Sequence, residues 1–278
     1  MDLVIQSSDI GSEEIAAFAG LTDASAIEVL EGGTQQAYRL RGVRHAEGLE
    51  AACDRAGCDY AFVPDNLTRA RVGLVAMDMD STLITIECID EIADLLGIKQ
   101  EVAAITARAM RGELDFAASL TQRVALLAGL PVTDLQAVYD ERLRLSPGAE
   151  RMLAGFRAAG ARTLLVSGGF TFFTERLRER LGLDDTLANV LDMVDGKLTG
   201  RIVGPIVDAA AKATRVAAQR ARLPEGKLVV AIGDGANDLP MLAAADVSIA
   251  YRAKPVVRAH ATYAINHCGL DAALNLFA

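Results

Sequence analysis

The sequence predicts an α/β protein built on a doubly wound parallel sheet. Three short runs, Leu74–Met77, Arg162–Val166 and Leu228–Ile232, each lead into acidic, small or hydroxyl residues and then into a helical stretch. Apolar strands that alternate with helices are typical of a parallel sheet buried on both faces. A cluster of helical stretches after the first strand predicts an inserted helical cap, and a separate set of strands and helices precedes that strand.

Residues 1–70 predict a small N-terminal α+β domain with the element order βαββαβ, which resembles an ACT-like ferredoxin fold. Glu31-Gly32-Gly33 indicates a hairpin turn, and Pro64-Asp65-Asn66 indicates the domain boundary. We expect an accessory or dimerising domain, and a ligand sensor is the alternative. The predicted elements are Leu3–Gln6, Ser12–Phe18, Ala26–Leu30, Gln36–Arg41, Ala46–Ala56 and Asp59–Val63.

Residues 71–278 predict the second domain, with the helical cap at about 84–147 inserted after the first core strand. The cap shows four helical stretches in a row, each ended by glycine or begun by a capping residue. Ser146-Pro147-Gly148 closes the insertion. The predicted cap helices are Ile89–Leu96, Glu101–Arg111, Asp115–Ala128 and a fourth that runs from Thr133 to about Leu143.

The alternation of strands and helices resumes after Gly148. Met193–Val203 contains Asp195-Gly196, which indicates a hairpin turn. The other predicted elements are the helices at 149–159, 171–181, 208–221 and 239–245, and the strands at 162–166, 228–232 and 247–250.

Composition and charge limit the classes of function. Of the 278 residues 51% are hydrophobic, the net charge is −9 and the pI is about 4.9. An acidic chain lacks the basic face that binds nucleic acids or anionic membranes, so we expect neither as a partner. A small anionic substrate stays compatible, because a metal ion and a few cations can reverse the field within one pocket.

The N-terminus and the cysteines indicate a cytoplasmic protein. Met1–Ile5 lacks the basic segment of a signal peptide, and no stretch approaches the ~18 apolar residues of a membrane span. The cysteines Cys53, Cys58, Cys88 and Cys268 form no CxxC pair, so we expect reduced thiols rather than a zinc site.

Asp78 and Asp80 follow the first core strand and are the first candidates for chemistry. Because they are two residues apart, their side chains project to the same side of an extended backbone. Carboxylates this close repel each other, so they need a cation between them, or one must hold a proton. The ordinary alternative is a strand end followed by an acidic turn.

Two later strands end in residues that complement this pair. Ser167-Gly168 follows one strand, and Asp234 and Asp238 follow the other. Strand ends of a parallel sheet converge on one crevice, where carboxylates suit Mg²⁺ and a hydroxyl with glycine amides suits a phosphate. Lys212, near the start of a predicted helix, can offset the remaining negative charge. Each part is weak alone, since a glycine pair is usually a turn and a helical lysine is usually solvated.

The combination resembles the haloacid dehalogenase (HAD) superfamily and, within it, the phosphoserine phosphatase family. The resemblance covers roughly residues 74–270 and is weak before residue 70. Met79 stands where phenylalanine is frequent, and its side chain should point away from the substrate. The motifs that carry the resemblance are Asp78-Met79-Asp80-Ser81-Thr82, Ser167-Gly168-Gly169, Lys212 and Gly233-Asp234-Gly235-Ala236-Asn237-Asp238 in the core, and Glu87, Ala109-Met110-Arg111-Gly112, Phe116 and Arg123-Val124 in the cap.

The resemblance implies a HAD-like Rossmannoid core and an Mg²⁺-dependent phosphomonoester hydrolase. Asp78 would form an aspartyl-phosphate, and Asp80 would act as general acid and then as general base. Mg²⁺ would be held by Asp78, the backbone carbonyl of Asp80 and Asp234, with Asp238 in or beside the coordination shell. The implied substrate residues are Ser167, Gly168 and Lys212 for the phosphate, Asn237 for substrate or metal, Glu87 for the ammonium group, Arg123 for the carboxylate, and Met110 and Phe116 for an apolar wall.

The predicted reaction is hydrolysis of O-phosphoserine to serine and phosphate, the last step of serine biosynthesis by the phosphorylated pathway. One alternative is a HAD phosphatase for another small phosphomonoester, such as phosphohomoserine or phosphothreonine. A second alternative is an amino-acid-sensing module with a degenerate core, but the intact set of Asp78, Asp80, Lys212 and Asp234 argues against it. A homodimer through the N-terminal domain is compatible with either, and the preference between D- and L-phosphoserine stays open.

Overall fold

The computed structural model describes residues 1–31, 33 and 35–277, and it contains two β-sheets. The predicted hairpin turn at Glu31-Gly32-Gly33 lies partly outside the described residues. The elements on both sides of it are confirmed, because the second and third strands pair antiparallel from Ala26↔Arg41 to Leu30↔Ala37.

The first sheet belongs to the N-terminal part of the chain and is antiparallel, with the order β2-β3-β1-β4. The element order βαββαβ is confirmed, while the likeness to an ACT domain stays a prediction. The elements are β1 (Asp2–Ser7), α1 (Ser12–Leu21), β2 (Ala26–Leu30), β3 (Gln36–Arg41), α2 (Leu49–Ala56) and β4 (Asp59–Val63).

The second sheet has seven strands in the order β11-β10-β9-β5-β6-β7-β8, and only β8 runs antiparallel to its neighbour. The predicted doubly wound α/β fold is therefore confirmed. The sequence prediction missed the last strand and the short helix before it. It also missed most of the strand before the Asp195-Gly196 turn, since the predicted hairpin segment began at Met193. The strands are β5 (Val72–Met77), β6 (Arg162–Phe170), β7 (Asp185–Val194), β8 (Lys197–Val203), β9 (Leu228–Gly233), β10 (Val247–Tyr251) and β11 (Tyr263–Ile265).

Helices cover both faces of this sheet. Along β5, Val75 and Met77 pack into one apolar cluster, whereas Leu74 and Ala76 pack into another on the opposite face. This alternation follows from the two-residue period of a strand, and it explains why the strand sequences read as continuous apolar runs. The helices of the core are α7 (Ala149–Ala158), α8 (Thr171–Leu181), α9 (Ala209–Arg220), α10 (Leu239–Ala243) and α11 (Pro255–Arg258).

The cap is inserted between β5 and α7, and its two ends are tied together at a neck. Ile84 and Leu145 form an antiparallel bridge, the Thr85 N–H donates to the Arg144 carbonyl (2.9 Å), and the Ser146 N–H donates to the Leu83 carbonyl (2.9 Å). The fourth helix begins at Val132, with Pro131 rather than Thr133 at its N-cap position. The cap helices are α3 (Cys88–Leu95), α4 (Lys99–Met110), α5 (Phe116–Ala125) and α6 (Val132–Ala137), continued by a π-type segment, Val138–Arg142.

The cap also touches the β7–β8 hairpin, whose turn contains the predicted Asp195-Gly196. The Gly129 N–H donates to the Leu198 carbonyl, and the Leu198 N–H donates to the Leu130 carbonyl, each at 2.8 Å. The cap is thus held to the core at the neck and at this hairpin.

Strand β6 continues past Val166, where the sequence predicted its end. Val166 pairs with Leu187 and Phe170 pairs with Asn189, so three residues of β6 lie opposite one residue of β7. Ser167-Gly168-Gly169 therefore forms a bulge within the strand rather than a turn after it. Glycine permits this local change of the backbone.

The N-terminal sheet packs firmly against the core. Val4, Ala61 and Val63 belong to the same apolar cluster as the core strands. The buried Asp59 carboxylate accepts hydrogen bonds from the backbone N–H groups of residues 266, 267 and 268, at 2.6 to 3.2 Å. The division into domains at residue 70 stays a prediction. All four cysteines are buried and free, and no helix of the described residues is long and apolar enough to cross a membrane.

Candidate active site

The site forms at the carboxyl edge of the second sheet, around three adjacent strands. Asp78 comes directly after β5, Ser167 lies in the bulge of β6, and Asp234 comes directly after β9. These strands are neighbours in the order β9-β5-β6, so the predicted convergence of their ends is confirmed. The local sequence places each of these residues at the end of its strand, and the parallel topology brings their side chains together.

Asp78 is almost fully buried and lies beside a lysine. Its Oδ1 is 2.8 Å from Lys212 Nζ and accepts the Met79 N–H at 2.8 Å. Burial raises the pKa of Asp78, and the positive charge of Lys212 acts in the opposite direction. Since both contacts end on Oδ1, Oδ2 has no hydrogen-bond partner among the described residues, and Asp78 lines the cavity. An oxygen without a partner in a cavity can act as a nucleophile.

Lys212 is the buried cation of the site, with a relative exposure of 1%. Its Nζ lies 2.8 Å from an oxygen of Asp78 and 2.8 Å from an oxygen of Asp238. Burial disfavours the ammonium form, but the two carboxylates outweigh it and raise the pKa of Lys212. A fixed positive charge therefore lies next to Asp78, directly beneath the cavity that Asp78 lines.

Each carboxylate oxygen of Asp80 has a partner within the site. The Cys88 N–H donates to Oδ1 at 2.9 Å, and Ser167 Oγ lies 3.5 Å from Oδ2. Burial, and after it the charge of Glu87, raises the pKa of Asp80 to about 7. A carboxyl group with such a pKa can give up a proton and take one back near neutral pH.

Three carboxylates form a group that could hold a metal ion. Oxygens of Asp78, Asp234 and Asp238 lie within 4.8 Å of one another. Thr82 Oγ1 donates to Asp234 at 2.8 Å, and burial raises the pKa of Asp234 to about 6. Several carboxylate oxygens at this spacing suit a hard divalent cation, which would offset their mutual repulsion. The carboxylate of Asp80 lies outside this group.

The Asp238 carboxylate is also anchored by backbone. Its Oδ2 accepts the N–H groups of Asp234 (3.1 Å) and Gly235 (3.0 Å), while Oδ1 faces Lys212. A Cβ atom on Gly233 would lie 2.6 Å from this Oδ2, so only glycine fits there. The turn after β9 is thus built around Asp238, which explains the glycine before Asp234.

A cavity of about 640 Å³ lies above these groups, between the core and the cap. Nine of the residues predicted for the site line it, and Ser167, Lys212 and Asp238 are buried just beneath. Sequence reasoning did not single out Thr82, Asp90, Gly169 or Lys254. Thr82 and Gly169 stood inside quoted motifs, while Asp90 and Lys254 carried no local signal. The predicted residues that line the cavity are Asp78, Asp80, Glu87, Met110, Phe116, Arg123, Gly168, Asp234 and Asn237.

The cap presents charged and apolar side chains to this cavity. Glu87 accepts a hydrogen bond from Ser81 Oγ at 2.7 Å, and Ser81 adopts a positive φ of 55° that aims it there. Arg123 lies on α5 and forms no ion pair among the described residues. Phe116 lies over the bulge of β6, because a Cβ atom on Gly168 would approach its ring to 3.0 Å. The cap is therefore closed on the core.

Met110 meets only part of its prediction. It lines the cavity, but 75% of its surface is exposed, so it lies at the mouth of the cavity at the end of α4. Phe116 provides the more enclosed apolar surface. Met79 is fully buried in an apolar cluster of the core and does not line the cavity.

The match to known proteins decides the family. Residues 75–243 match the family model of the haloacid dehalogenase-like hydrolases. The chain belongs to this family. Phosphatases of this family generally use a metal ion, and the acidic group described above could bind one.

Several proteins with similar sequence or structure are phosphoserine phosphatases. The phosphoserine phosphatase of Polaromonas sp. is 54% identical over 209 residues, which span 73% of this chain and 89% of that protein. The crystal structure of a probable phosphoserine phosphatase from Vibrio cholerae superposes with a TM-score of 0.86 at 37% identity, over 99% of this chain and 85% of that one. A substrate-bound phosphoserine phosphatase superposes with a TM-score of 0.68 at 37% identity, over 74% of this chain and 99% of that one.

Proposed function

We propose that this protein hydrolyses O-phospho-L-serine to L-serine and phosphate, the last step of serine biosynthesis. One observation carries the proposal. The buried pair of Asp78 and Lys212 lies at the floor of a cavity whose cap side presents Arg123 and Glu87. A small molecule with a phosphate at one end and an amino-acid group at the other matches both ends. The similarity to phosphoserine phosphatases supports the same substrate.

In the first step Asp78 attacks phosphorus with its free oxygen, and the bond from phosphorus to the serine oxygen breaks. Asp80 gives its proton to that oxygen, so serine leaves as the neutral alcohol. Lys212, the Ser167 hydroxyl and the amide of Gly168 stabilise the charge on the phosphoryl oxygens. The product of this step is an aspartyl-phosphate on Asp78.

In the second step Asp80 acts in reverse. It removes a proton from a water molecule, which attacks phosphorus and releases phosphate from Asp78. The pKa of about 7 for Asp80 suits both directions of proton transfer near neutral pH. Phe116 and the closed cap keep other water away from the intermediate.

The proposed cofactor is Mg²⁺. Asp78, Asp234 and Asp238 would hold it together with the backbone carbonyl of Asp80, and the grouping of the three carboxylates supports this assignment. When bound, Mg²⁺ would neutralise the carboxylates and attract the phosphoryl oxygens. Thr82 orients Asp234 for this role through its hydrogen bond.

The cap recognises the amino-acid part of the substrate. Glu87 would bind the ammonium group, and Arg123 would bind the carboxylate with two parallel hydrogen bonds. Met110 and Phe116 would cover the apolar surface between them, and Asn237 would contact substrate or metal from the core. These groups all line the same cavity, which supports the assignment.

A phosphate-release panel tests the proposal. With Mg²⁺ present, we expect kcat/KM to be highest for phosphoserine among phosphoserine, phosphothreonine, phosphohomoserine and p-nitrophenyl phosphate. Asp78→Asn should abolish release from all four while circular dichroism and the Tm show a folded protein. A higher value for phosphothreonine or phosphohomoserine would assign another phosphomonoester. No release from any substrate would support an amino-acid-sensing module instead.

We also propose a cytoplasmic homodimer that pairs through the N-terminal domain, residues 1–70. Four free thiols suit a reducing compartment. Strand β2 is an edge strand, and its Ile27 and Val29 are 44% and 62% exposed. An exposed apolar edge strand is a ready site for pairing with another chain. Light scattering on the protein and on Val29→Lys tests this assembly.

A further inference from the structure

Asn189 is a buried polar residue of β7 that touches two separate parts of the site. Only 1% of it is exposed. Its Nδ2 donates to the Gly168 carbonyl (2.8 Å) and lies 3.3 Å from the Gly169 carbonyl, while its Oδ1 accepts the Val207 N–H (2.8 Å). Within the part of the chain that the structure describes, its side-chain hydrogen bonds all go to backbone groups, so the carboxamide acts on the path of the chain.

The first contact fixes the bulge of β6. Between Val166 and Phe170 the strand leaves its regular pairing with β7, so its carbonyls lose their usual ladder partners. Asn189 replaces those partners. Because a trans peptide unit is planar, holding the Gly168 carbonyl on one side turns the Gly169 N–H to the opposite side. That N–H meets Ser167 Oγ at 2.8 Å, so the orientation of the phosphate-binding hydroxyl depends on it.

The second contact fixes the start of the helix that carries the lysine. Val207 precedes Asp208, the N-cap of α9, whose side chain accepts the Ala211 N–H at 2.8 Å. The Lys212 N–H donates to the Asp208 carbonyl at 3.0 Å. Asn189 is therefore linked to Lys212 through Val207 and Asp208. It is linked to Ser167 through the peptide unit between Gly168 and Gly169.

We propose that Asn189 is a positioning residue that sets the separation and orientation of the two phosphate-binding groups, Ser167 and Lys212. This inference rests on the proposed phosphatase function. Without a link between them, the bulge of β6 and the start of α9 could shift relative to each other when the cap opens. The Asn189 carboxamide is hydrogen-bonded to both and keeps their separation fixed. A group fixed in advance of the reaction binds the developing charge without having to reorganise. Asn189 contacts no substrate atom and acts through backbone.

The test is the substitution Asn189→Asp, which keeps the shape and the acceptor for the Val207 N–H. It replaces the donor by an oxygen that faces the carbonyls of Gly168 and Gly169. Loss of a buried hydrogen bond with repulsion in its place should lower kcat/KM about 10-fold or more. The loss should be equal for phosphoserine and p-nitrophenyl phosphate, and the Ki of orthophosphate should rise by a similar factor. In Asn189→Ser the shorter side chain cannot reach both backbone groups and adds no charge, so this variant should show the same pattern to a smaller extent.

Asn275→Asp is the matched control, because Asn275 donates to Gln6 Oε1 at 2.9 Å between the C-terminal segment and β1, outside the cavity. We expect it to lower the Tm without changing kinetics. If both Asn189 variants lower the Tm but keep the wild-type kcat, KM and orthophosphate Ki, Asn189 serves stability alone and the inference is wrong. Should Asn189→Asp fail to fold, Asn189→Ser decides. Wild-type protein that releases no phosphate would contradict the proposed function instead.

Discussion

Replacing Arg123 by alanine should separate recognition of the amino-acid group from chemistry on the phosphate. Arg123 lies on α5, where its Nε is 3.4 Å from the Ser119 carbonyl of the preceding turn, and it has no ion-pair partner among the described residues. Burial lowers the pKa of Arg123, and the charges of Asp90 and Glu87 oppose this shift. A substrate carboxylate would give this partly desolvated cation the partner that the protein does not supply.

The magnitude follows from the burial of the side chain. Removing one side of a buried, hydrogen-bonded charge pair costs about 2–5 kcal/mol. Arg123 is only partly buried, so solvent screening favours the lower end, about 2 kcal/mol. This free energy corresponds to about a 30-fold loss in kcat/KM for phosphoserine.

Phosphate release from two substrates measures this effect. Arg123→Ala should lower kcat/KM for phosphoserine by this factor and hardly change it for p-nitrophenyl phosphate, which has no carboxylate. Arg123→Lys keeps the positive charge but not the two parallel N–H donors, so its kcat/KM for phosphoserine should lie between the values for wild type and Arg123→Ala. Arg108→Ala on α4, whose side chain pairs with Glu113 outside the cavity, is the control and should act like wild type. Equal losses on both substrates would refute the assignment of Arg123 to the carboxylate.

Three further predictions concern the metal, the bulge and the N-terminal sheet. Excess chelator should abolish phosphate release, Mg²⁺ should restore it and Ca²⁺ should inhibit it; full activity in chelator would contradict the metal site. Gly169→Ala should lower kcat, because the added Cβ would lie 2.8 Å from Asp80 Oδ2, whereas Gly20→Ala meets nothing within 4 Å and should leave kcat unchanged. A chain that starts at Asn66 should retain phosphate release but melt at a lower temperature, since three backbone N–H groups lose Asp59 as their acceptor; an unchanged Tm would argue against this contact.

Local patterns predicted much of the fold and most of the candidate site. Strands β2, β3 and β4 begin and end where the sequence placed them, because turn residues flank each one. Asp78 and Asp234 were found because each stands directly after an apolar strand. Both signals lie within a few residues along the chain, so they can be seen without knowing which segments meet in space.

The residues that sequence reasoning missed depend on contacts between distant segments. Asn189 stands within a strand with nothing beside it to mark its role, which arises only because the β6 bulge lies opposite. The sequence placed the end of β6 at Val166, before this bulge, since Ser167-Gly168-Gly169 also suits the residues that follow a strand. Lys254 reaches the cavity through the folding of the chain after β10, and the three-residue strand β11 is too short to show a period.

The two attachments of the cap have a mechanical consequence. A rotation of the cap about the line that joins the neck, between Ile84 and Leu145, and the hairpin contact through Leu198 would leave both of these attachments in place. Helix α5 reaches from near the hairpin to Phe116 over 10 residues, which makes a lever arm of about 15 Å. A rotation of roughly 10° about this axis would then move the Phe116 ring by about 2.6 Å, enough to lift it from Gly168. Such a rotation would open the cavity without unfolding any helix of the cap.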